Sequence, residues 1–390
     1  MAPLLSPSCL PPDGSCTLVD VRSPSAHAYD TIPGALSVPD IVKRAEEGTL
    51  TEAAFRKPLL LFCMYGRESA PMAERLRDLG YDASILEGGF SAFIRSSLPE
   101  RNIGEEVMED LGKKDVKKKL LNRFTRAIRE FDLLAPGDRI AVCISGGKDS
   151  MLMAKLFQQL KKSRKDPFDL VFLSMDPGYS PLNREVIEAD ARALDIPLTF
   201  FSTPIFDAVD QVGDKPCFLC ARMRRGYLYR KAQELGCNKI ALGHHFDDVI
   251  ETTLMAMLWG GQAQTMVPKV RSENVPGMEL IRPMYYIREE DILAWRDRHS
   301  LHFIQCACHF TEGTGNSREH TASRRLQTKL LIRELKKDNP YVEGNIFNSM
   351  QHVNLDTVLS YRLNGVNHEF SEIYANAAGE TDRTVPVSEE

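Results

Sequence analysis

The run "RIAVCISGGKDSMLMAKL" (Arg139–Leu156) constrains the fold of this chain more than any other stretch. A short apolar segment with the length of a buried strand meets two adjacent glycines, and a helical pattern follows at once. Such a turn belongs to an α/β sheet and sits at a strand's carboxyl end, where these folds bind ligands. Backbone N–H groups of Ser145, Gly146 and Gly147 can close around an anion, and the helix N-terminus adds partial positive charge. Lys148 can neutralise phosphate oxygens, while Ser145 and Ser150 offer hydroxyl donors. The spacing is not that of a Walker A loop, which separates its glycines by four residues and ends in Lys-Ser or Lys-Thr. The bland alternative is a Gly-rich turn whose Asp149 and Ser150 only cap the helix.

The surrounding sequence extends the pattern. "LVFLSM", "LTFFS" and "KIALG" read as further buried parallel strands, each followed by a helical stretch, with "LIRPM" and "HFIQC" as later strands or extended segments. A doubly wound parallel sheet is expected. Asp176 ends "LVFLSM" and faces the same crevice, or merely serves the turn at Pro177-Gly178. Past "KIALG", His244, His245, Asp247 and Asp248 crowd a second strand end. Asp247 could cap the next helix. Asp247 or Asp248 could also ligate the Mg²⁺ that organises nucleotide phosphates.

The first hundred residues form a separate unit. "TLVDV" and "PLLLFC" have strand length, and "ESAPMAERLRDLG" has helical periodicity with Gly80 as its stop. Residues 98–112 are polar and acidic and read as a linker. Lys113–Leu134 follows, with eight Lys/Arg against three acids and Leu120, Phe124, Ile128 and Phe131 on one face. That is one amphipathic helix with a basic outer face. The expected boundaries are therefore 1–97, a linker 98–112, a domain over 113–363, and a polar acidic tail over 364–390. At 390 residues, two domains are anticipated in any case. No apolar run reaches membrane-spanning length and no signal peptide is visible, so a cytoplasmic location is expected. A net charge of −5 excludes wholesale coating of nucleic acid but not a local basic face.

Nine cysteines is an odd count without disulfide-framework spacing, so they read as chemistry or metal binding. Cys217 and Cys220 form Cys-x-x-Cys, and Cys306 and Cys308 lie far downstream. Four thiolates suit tetrahedral zinc, yet residues 221–305 separate the pairs, against roughly 15–20 residues in ribbon-type sites. Three of the four could instead hold an iron–sulfur cluster with one open iron. Spacing alone does not rank the two. Cys63, between a buried strand and a helix, has the setting that stabilises a thiolate or persulfide, with Gly66 for a tight turn and Arg67 for charge. Cys143 reads as a buried strand residue, and Cys9, Cys16 and Cys237 carry no functional context.

Three resemblances then bear on the whole. "SGGKDS" resembles the PP-loop of the N-type ATP pyrophosphatases, which adenylate a carbonyl or carboxylate and release pyrophosphate. "PCFLCARMRRGYLYR", "KIALGHHFDD" and "IRPMYYIREEDI" with that loop resemble the tRNA 2-thiocytidine biosynthesis (TtcA-like) family, over about residues 117–355. "LVDVR", "IPGALSVP", the Cys63 loop and "LEGGFSAF" resemble a single rhodanese domain over about residues 14–95, with Phe93 where Trp is usual. The implied fold is a rhodanese-like α/β domain followed by a PP-loop (adenine nucleotide alpha hydrolase-like) doubly wound domain.

What the resemblance implies follows. Ser145, Gly146, Gly147, Lys148, Asp149, Ser150, Asp176, His244, Asp247 and Asp248 would bind ATP with Mg²⁺. Cys217, Cys220 and Cys308, with Cys306 as the alternative third ligand, would hold a [4Fe–4S] cluster. Cys63, Lys148 and Asp149 would be catalytic: an adenylated cytidine C2 oxygen of tRNA is replaced by sulfur relayed from the Cys63 persulfide through the cluster. Lys117, Lys118, Arg222, Arg224, Arg225 and Arg230 would contact RNA phosphates. An upstream sulfur donor such as a cysteine desulfurase would load Cys63, no membrane is involved, and a homodimer is left open. Thiolation of another nucleoside or small molecule, and a non-enzymatic sulfur-carrier or redox-sensing iron–sulfur protein, are the competing functions.

Overall fold

The computed structural model describes residues 4–6, 15–51, 53–98, 101–164, 167–179, 181–205, 216–303, 319–372 and 374. The chain forms two compact units, Met1–Val249 with Val267–Leu326, and Ile250–Met266 with Gln327–Glu390.

The first unit opens with strands β1 (Leu4–Leu5), β2 (Thr17–Asp20), β3 (Leu36–Ser37), β4 (Leu59–Phe62) and β5 (Ala83–Leu86). They pair in the order β1-β5-β4-β2-β3, every pair parallel. Helices α1 (Pro24–Tyr29), α2 (Ile41–Glu46) and α3 (Ser69–Asp78) make the crossovers, and α4 (Gly89–Ser96) follows β5. All four residues of β4 are buried, the pattern of a central strand covered on both faces. Leu59, Leu61, Val19, Ile41 and Leu76 share one core with Cys63.

Next come α5 (Gly104–Gly112), α6 (Lys114–Lys119) and α7 (Leu121–Glu130), which lead into the second sheet. Its elements run β6 (Arg139–Ile144), α8 (Lys148–Ser163), β7 (Asp169–Asp176), α9 (Pro181–Ala193), β8 (Leu198–Ser202), α10 (Pro216–Glu234), β9 (Lys239–Ala241), α11 (Phe246–Gly260), β10 (Lys269–Arg271), β11 (Glu279–Ile281) and α12 (Glu289–Arg298). The strand order is β10-β11-β9-β6-β7-β8, parallel throughout except the antiparallel edge pair β10–β11. From β6 the chain winds one way through β7 and β8, then returns to place β9 on the other side. The switch point therefore lies between β6 and β9, so the loops after those two strands flank the ligand crevice.

Three expected boundaries change. Residues 98–112 are not a bare linker: α5 occupies most of them and buries Val107, Met108 and Leu111, an apolar spacing that the acidic residues between them mask. The basic stretch from Lys113 is two helices, broken at Leu120 (φ −109°, ψ −72°), so that Val116, Leu120 and Leu121 are all buried. Within "LIRPM" only Leu280 and Ile281 are strand, and the described residues of "HFIQC", 302–303, form no strand.

In the second unit, helix α13 (Glu319–Asp338) continues from the first, followed by α14 (Val342–Ser349) and a hairpin of β12 (Ser360–Leu363) and β13 (Val366–Glu369). Residue 364, where a polar tail is expected to begin, lies inside that hairpin's turn, and the chain goes on as β13. Asn364 (φ 51°) and Gly365 (φ 84°) are both left-handed, the Asn-Gly signature of a two-residue type I′ loop. Among the described residues, no helix is long and apolar enough to cross a membrane.

Candidate active site

The loop after β6 turns on Gly146, whose φ of +86° is left-handed. Ser150 closes it from inside: its hydroxyl donates to the Gly147 carbonyl (2.9 Å) and accepts from the Ser145 N–H (3.2 Å). Gly147 then caps α8 in extended conformation, so the free N–H groups of the helix start point into the crevice. Lys148 is 2% exposed, with Nζ 3.1 Å from Asp149 Oδ1 and 3.7 Å from Glu289 Oε1. A buried ammonium between two carboxylates is oriented before any phosphate arrives. The β9 loop presses on the same helix start. A Cβ added at Gly243 would stand 3.2 Å from the Ser150 nitrogen and from the Asp149 carbonyl carbon.

That second loop brings four ionisable groups together. His245 is buried, with Nε2 3.9 Å from Asp149 Oδ1 and 3.5 Å from Asp248 Oδ2, and Nδ1 3.6 Å from Asp247 Oδ2. Burial opposes its charge, but Asp248, Asp247 and Asp149 together prevail and raise its pKa to about 9. His244 goes the other way: burial pushes it down to about 4, so it is neutral. Its Nδ1 is buried without a hydrogen-bond partner among the described residues. Asp248 is held down at about 2: burial works against the carboxylate and is outweighed chiefly by His245 and Arg325. Its Oδ2 accepts the His245 N–H (3.0 Å) and its Oδ1 meets Arg325 (2.6 Å). Asp247 Oδ2 accepts the Glu289 N–H (2.7 Å). Asp176 forms a turn, accepting N–H groups of Gly178 (2.9 Å) and Tyr179 (2.7 Å), and pairs with Arg184 (3.3 Å).

Cys63 closes β4, and its sulfur accepts the Gly66 N–H at 3.1 Å and faces the Ser69 hydroxyl at 3.6 Å. Both donors suit a sulfur anion. The loop is seated on the start of α4: Phe90 N–H donates to the Cys63 carbonyl (2.9 Å), Ser91 N–H to that of Met64 (3.0 Å). Glycine is required at this seat. Gly89 has φ +61°, and a Cβ there would lie 2.4 Å from the Cys63 oxygen and 2.7 Å from the Gly66 nitrogen.

A family described as a PP-loop domain matches residues 116–309, and one described as a rhodanese-like domain matches residues 10–96. The tRNA-cytidine(32) 2-sulfurtransferase of Anaeromyxobacter dehalogenans strain 2CP-C is 37% identical over 241 residues, 61% of this chain and 80% of that one. This chain belongs to the tRNA-cytidine(32) 2-sulfurtransferase family. The family's Citrifermentans bemidjiense member is 34% identical over 239 residues, 60% of this chain and 90% of its own. Among solved structures, the U34-tRNA thiolase NcsA of Methanococcus maripaludis with its [4Fe–4S] cluster is 20% identical, at a TM-score of 0.47, covering 60% of this chain and 80% of that one. The rhodanese-like module precedes the stretch that matches these sulfurtransferases.

Cys217 and Cys220 fall in the first turn of α10. Their side chains, that of Arg222, and the whole of Cys306 and Cys308 lie outside the described residues. Among the described residues no three His, Cys, Asp or Glu side chains are grouped as metal ligands. Lys117, Lys118, Arg225 and Arg230 are exposed, whereas Arg224 is half-buried with Nη2 3.4 Å from the Tyr179 hydroxyl. Cys143 and Cys237 are buried, and burial pushes the Cys143 thiol up to about 12, which makes it inert. Local spacing gave no sign of Glu289 or Arg325, which reach the crevice from distant sequence.

Proposed function

We propose that this chain is an ATP-dependent tRNA sulfurtransferase that converts a cytidine C2 carbonyl to the thione, using sulfur carried on Cys63. The observation that carries this reading is the pairing, on one chain of this family, of a phosphate loop holding a buried Lys148 and a cysteine whose sulfur accepts two donors. In the first step the C2 oxygen attacks the α-phosphorus of ATP and pyrophosphate leaves. Ser145, Gly146 and Gly147 hold the departing phosphates by backbone N–H groups, and Lys148 neutralises their charge. Asp149 and Glu289 keep that ammonium in place. An unactivated pyrimidine oxygen does not leave; as part of AMP it does.

The sulfane sulfur of a Cys63 persulfide must gain two electrons to become a thione sulfur. Two small thiols supply them, leaving as a disulfide while Cys63 returns to the thiol and hydrosulfide is freed. Hydrosulfide attacks C2, AMP departs with the former C2 oxygen, and the S–H proton passes to solvent. Asp247 is the better candidate to hold Mg²⁺, because Asp248 is committed on both oxygens. Mg²⁺ is commonly held by one or two carboxylates plus phosphates, so few protein ligands are needed. Cys217 and Cys220, spaced as Cys-x-x-Cys, suit two ligands of a [4Fe–4S] cluster, with Cys308 or Cys306 as the third. When bound, such a cluster supplies an open iron with affinity for sulfide.

Mass spectrometry of tRNA nucleosides tests the reading. Deletion should remove 2-thiocytidine, and wild type but not Cys217→Ala should restore it. Unchanged 2-thiocytidine in deleted cells that make it sinks the cytidine assignment.

A further inference from the structure

We propose that the sulfur-carrying module is docked, rather than loosely tethered, on the ATP-binding module through a seam centred on His302, so that Cys63 serves the ATP site of its own chain. This rests on the function proposed above and specifies how sulfur reaches that site.

The seam is continuous with the seat of Cys63. Helix α4, whose first turn holds the Cys63 loop, presents Phe93 one turn further on, about 6 Å along the axis. Phe93 meets the His302 ring edge-on, with centroids 5.4 Å apart. His302 Nδ1 lies 3.1 Å from Asp30 Oδ2, and both side chains are largely buried. Asp30 belongs to the same rigid frame as the Cys63 loop. Its carbonyl accepts from Arg22 (2.8 Å), and Arg22 also pairs with Asp20 (2.7 Å) and lies 3.9 Å over the Phe90 ring. Further along α4, Arg95 Nη2 reaches Glu185 Oε2 at 2.8 Å. Glu185 is in the first turns of α9, next to Arg184, which pairs with Asp176 at the carboxyl end of β7. The contact therefore reaches the carboxyl ends of the strands, the side of the sheet that carries the phosphate loop.

The connecting chain is fastened too. Ile103 N–H donates to the Ala193 carbonyl at 2.7 Å. Gly104 lies so close to α9's end that a Cβ there would stand 2.6 Å from Asp195 Cβ and 2.9 Å from the Leu194 oxygen. Within the seam Asp190 is fully buried, and neither carboxyl oxygen has a hydrogen-bond partner among the described residues. A flexible tether would need none of this. Docking replaces a diffusive search at roughly millimolar effective concentration with a fixed approach.

His302, Phe93, Arg95 and Glu185 are positioning residues in this scheme, and the test separates positioning from folding. Full-length protein is loaded at Cys63 with thiosulfate, then given ATP, tRNA and a dithiol, and 2-thiocytidine is followed in a single turnover. A parallel reaction replaces the carried sulfur with inorganic sulfide. His302→Ala should slow the carried-sulfur reaction about tenfold, the effect of losing a hydrogen bond to a charged partner. Arg95→Glu should slow it about threefold, as fits an exposed pair, and adding Glu185→Arg should restore the rate. The sulfide reaction and ATP-dependent pyrophosphate release should stay within about twofold of wild type if only positioning is lost. A mixture of Cys63→Ser and Cys217→Ser chains should thiolate no faster than Cys63→Ser chains given inorganic sulfide at the concentration of the carried sulfur. Carried-sulfur rates untouched by both His302→Ala and Arg95→Glu, or efficient rescue in the mixture, would overturn the docking. Should His302→Ala also lose pyrophosphate release, the charge swap decides: no rescue by Glu185→Arg counts against the seam. Wild type inert with either sulfur source, or Cys63→Ser active with the carried source, would instead defeat the underlying function.

Discussion

Replacing Gly89 by alanine should disable the sulfur carrier while leaving the ATP site intact. Two separate penalties follow from the geometry. At φ +61° a non-glycine residue is left-handed, which costs about 1–2 kcal/mol. The added Cβ would also sit 2.4 Å from the Cys63 oxygen, 2.7 Å from the Gly66 nitrogen and 3.0 Å from the Met64 carbonyl carbon. These are backbone atoms, so no side chain can rotate away. Overpacking of this kind costs about 1–3 kcal/mol. Relief requires the Cys63 loop to retreat by about 1 Å, to an ordinary non-bonded separation. That same loop carries the Gly66 N–H that meets Cys63 Sγ at 3.1 Å. Gly34→Ala is the matched control: its φ is +82°, yet nothing lies within 4 Å of the new Cβ. Loading of Cys63 by thiosulfate, read as a persulfide mass shift, should slow by about tenfold or more in Gly89→Ala, since 1.4 kcal/mol is a factor of ten. Gly34→Ala should load at nearly the wild-type rate despite a similar backbone penalty. Equal behaviour of the two variants, or wild-type loading by Gly89→Ala, would refute the reasoning.

Further outcomes are expected. Lys148→Ala should lower pyrophosphate release by about two orders of magnitude, and Lys148→Arg should not recover it because the side chain sits buried between Asp149 and Glu289; a recovery in the release assay would contradict that placement. Burial, and then Asp30, raise the Asp190 pKa well above 3.8. The folded state thus keeps its proton where the unfolded chain has lost it, and the wild type loses stability as pH rises from about 3.8 through the raised value. Asp190→Asn should therefore gain stability relative to wild type as pH climbs, by at most about 1.4 kcal/mol per pH unit, and show no such trend below pH 3.8; urea unfolding across pH 4 to 8 checks it, and a pH-independent difference would contradict it. Replacing Lys117 and Lys118 by alanine should weaken tRNA binding and lessen the slope of log affinity against log salt by just under one per lost contact; an unchanged slope would remove that helix from the RNA face.

Much of this protein is legible before any folding. Strand–glycine–helix order dictates the doubly wound sheet, because a buried apolar run followed by a glycine turn has few other fates. The same local logic marks Ser145–Ser150, Cys63 and the His244–Asp248 cluster, since each lies within a few residues of a strand end. Composition misled where burial depends on partners distant in sequence. Acidic residues between Val107, Met108 and Leu111 hide a packed helix that reads as a linker, and the basic run from Lys113 shows no sign of its break at Leu120. Only the tertiary structure decides which loops share a crevice, because the return from β8 to β9 sets the switch point beside β6. That return brings His245 within 4 Å of Asp149, and Glu289 and Arg325 to the same cluster. Contacts between residues hundreds of positions apart, such as Asp30 with His302, leave no periodicity in the chain, since they depend on how finished surfaces fit rather than on local backbone preference.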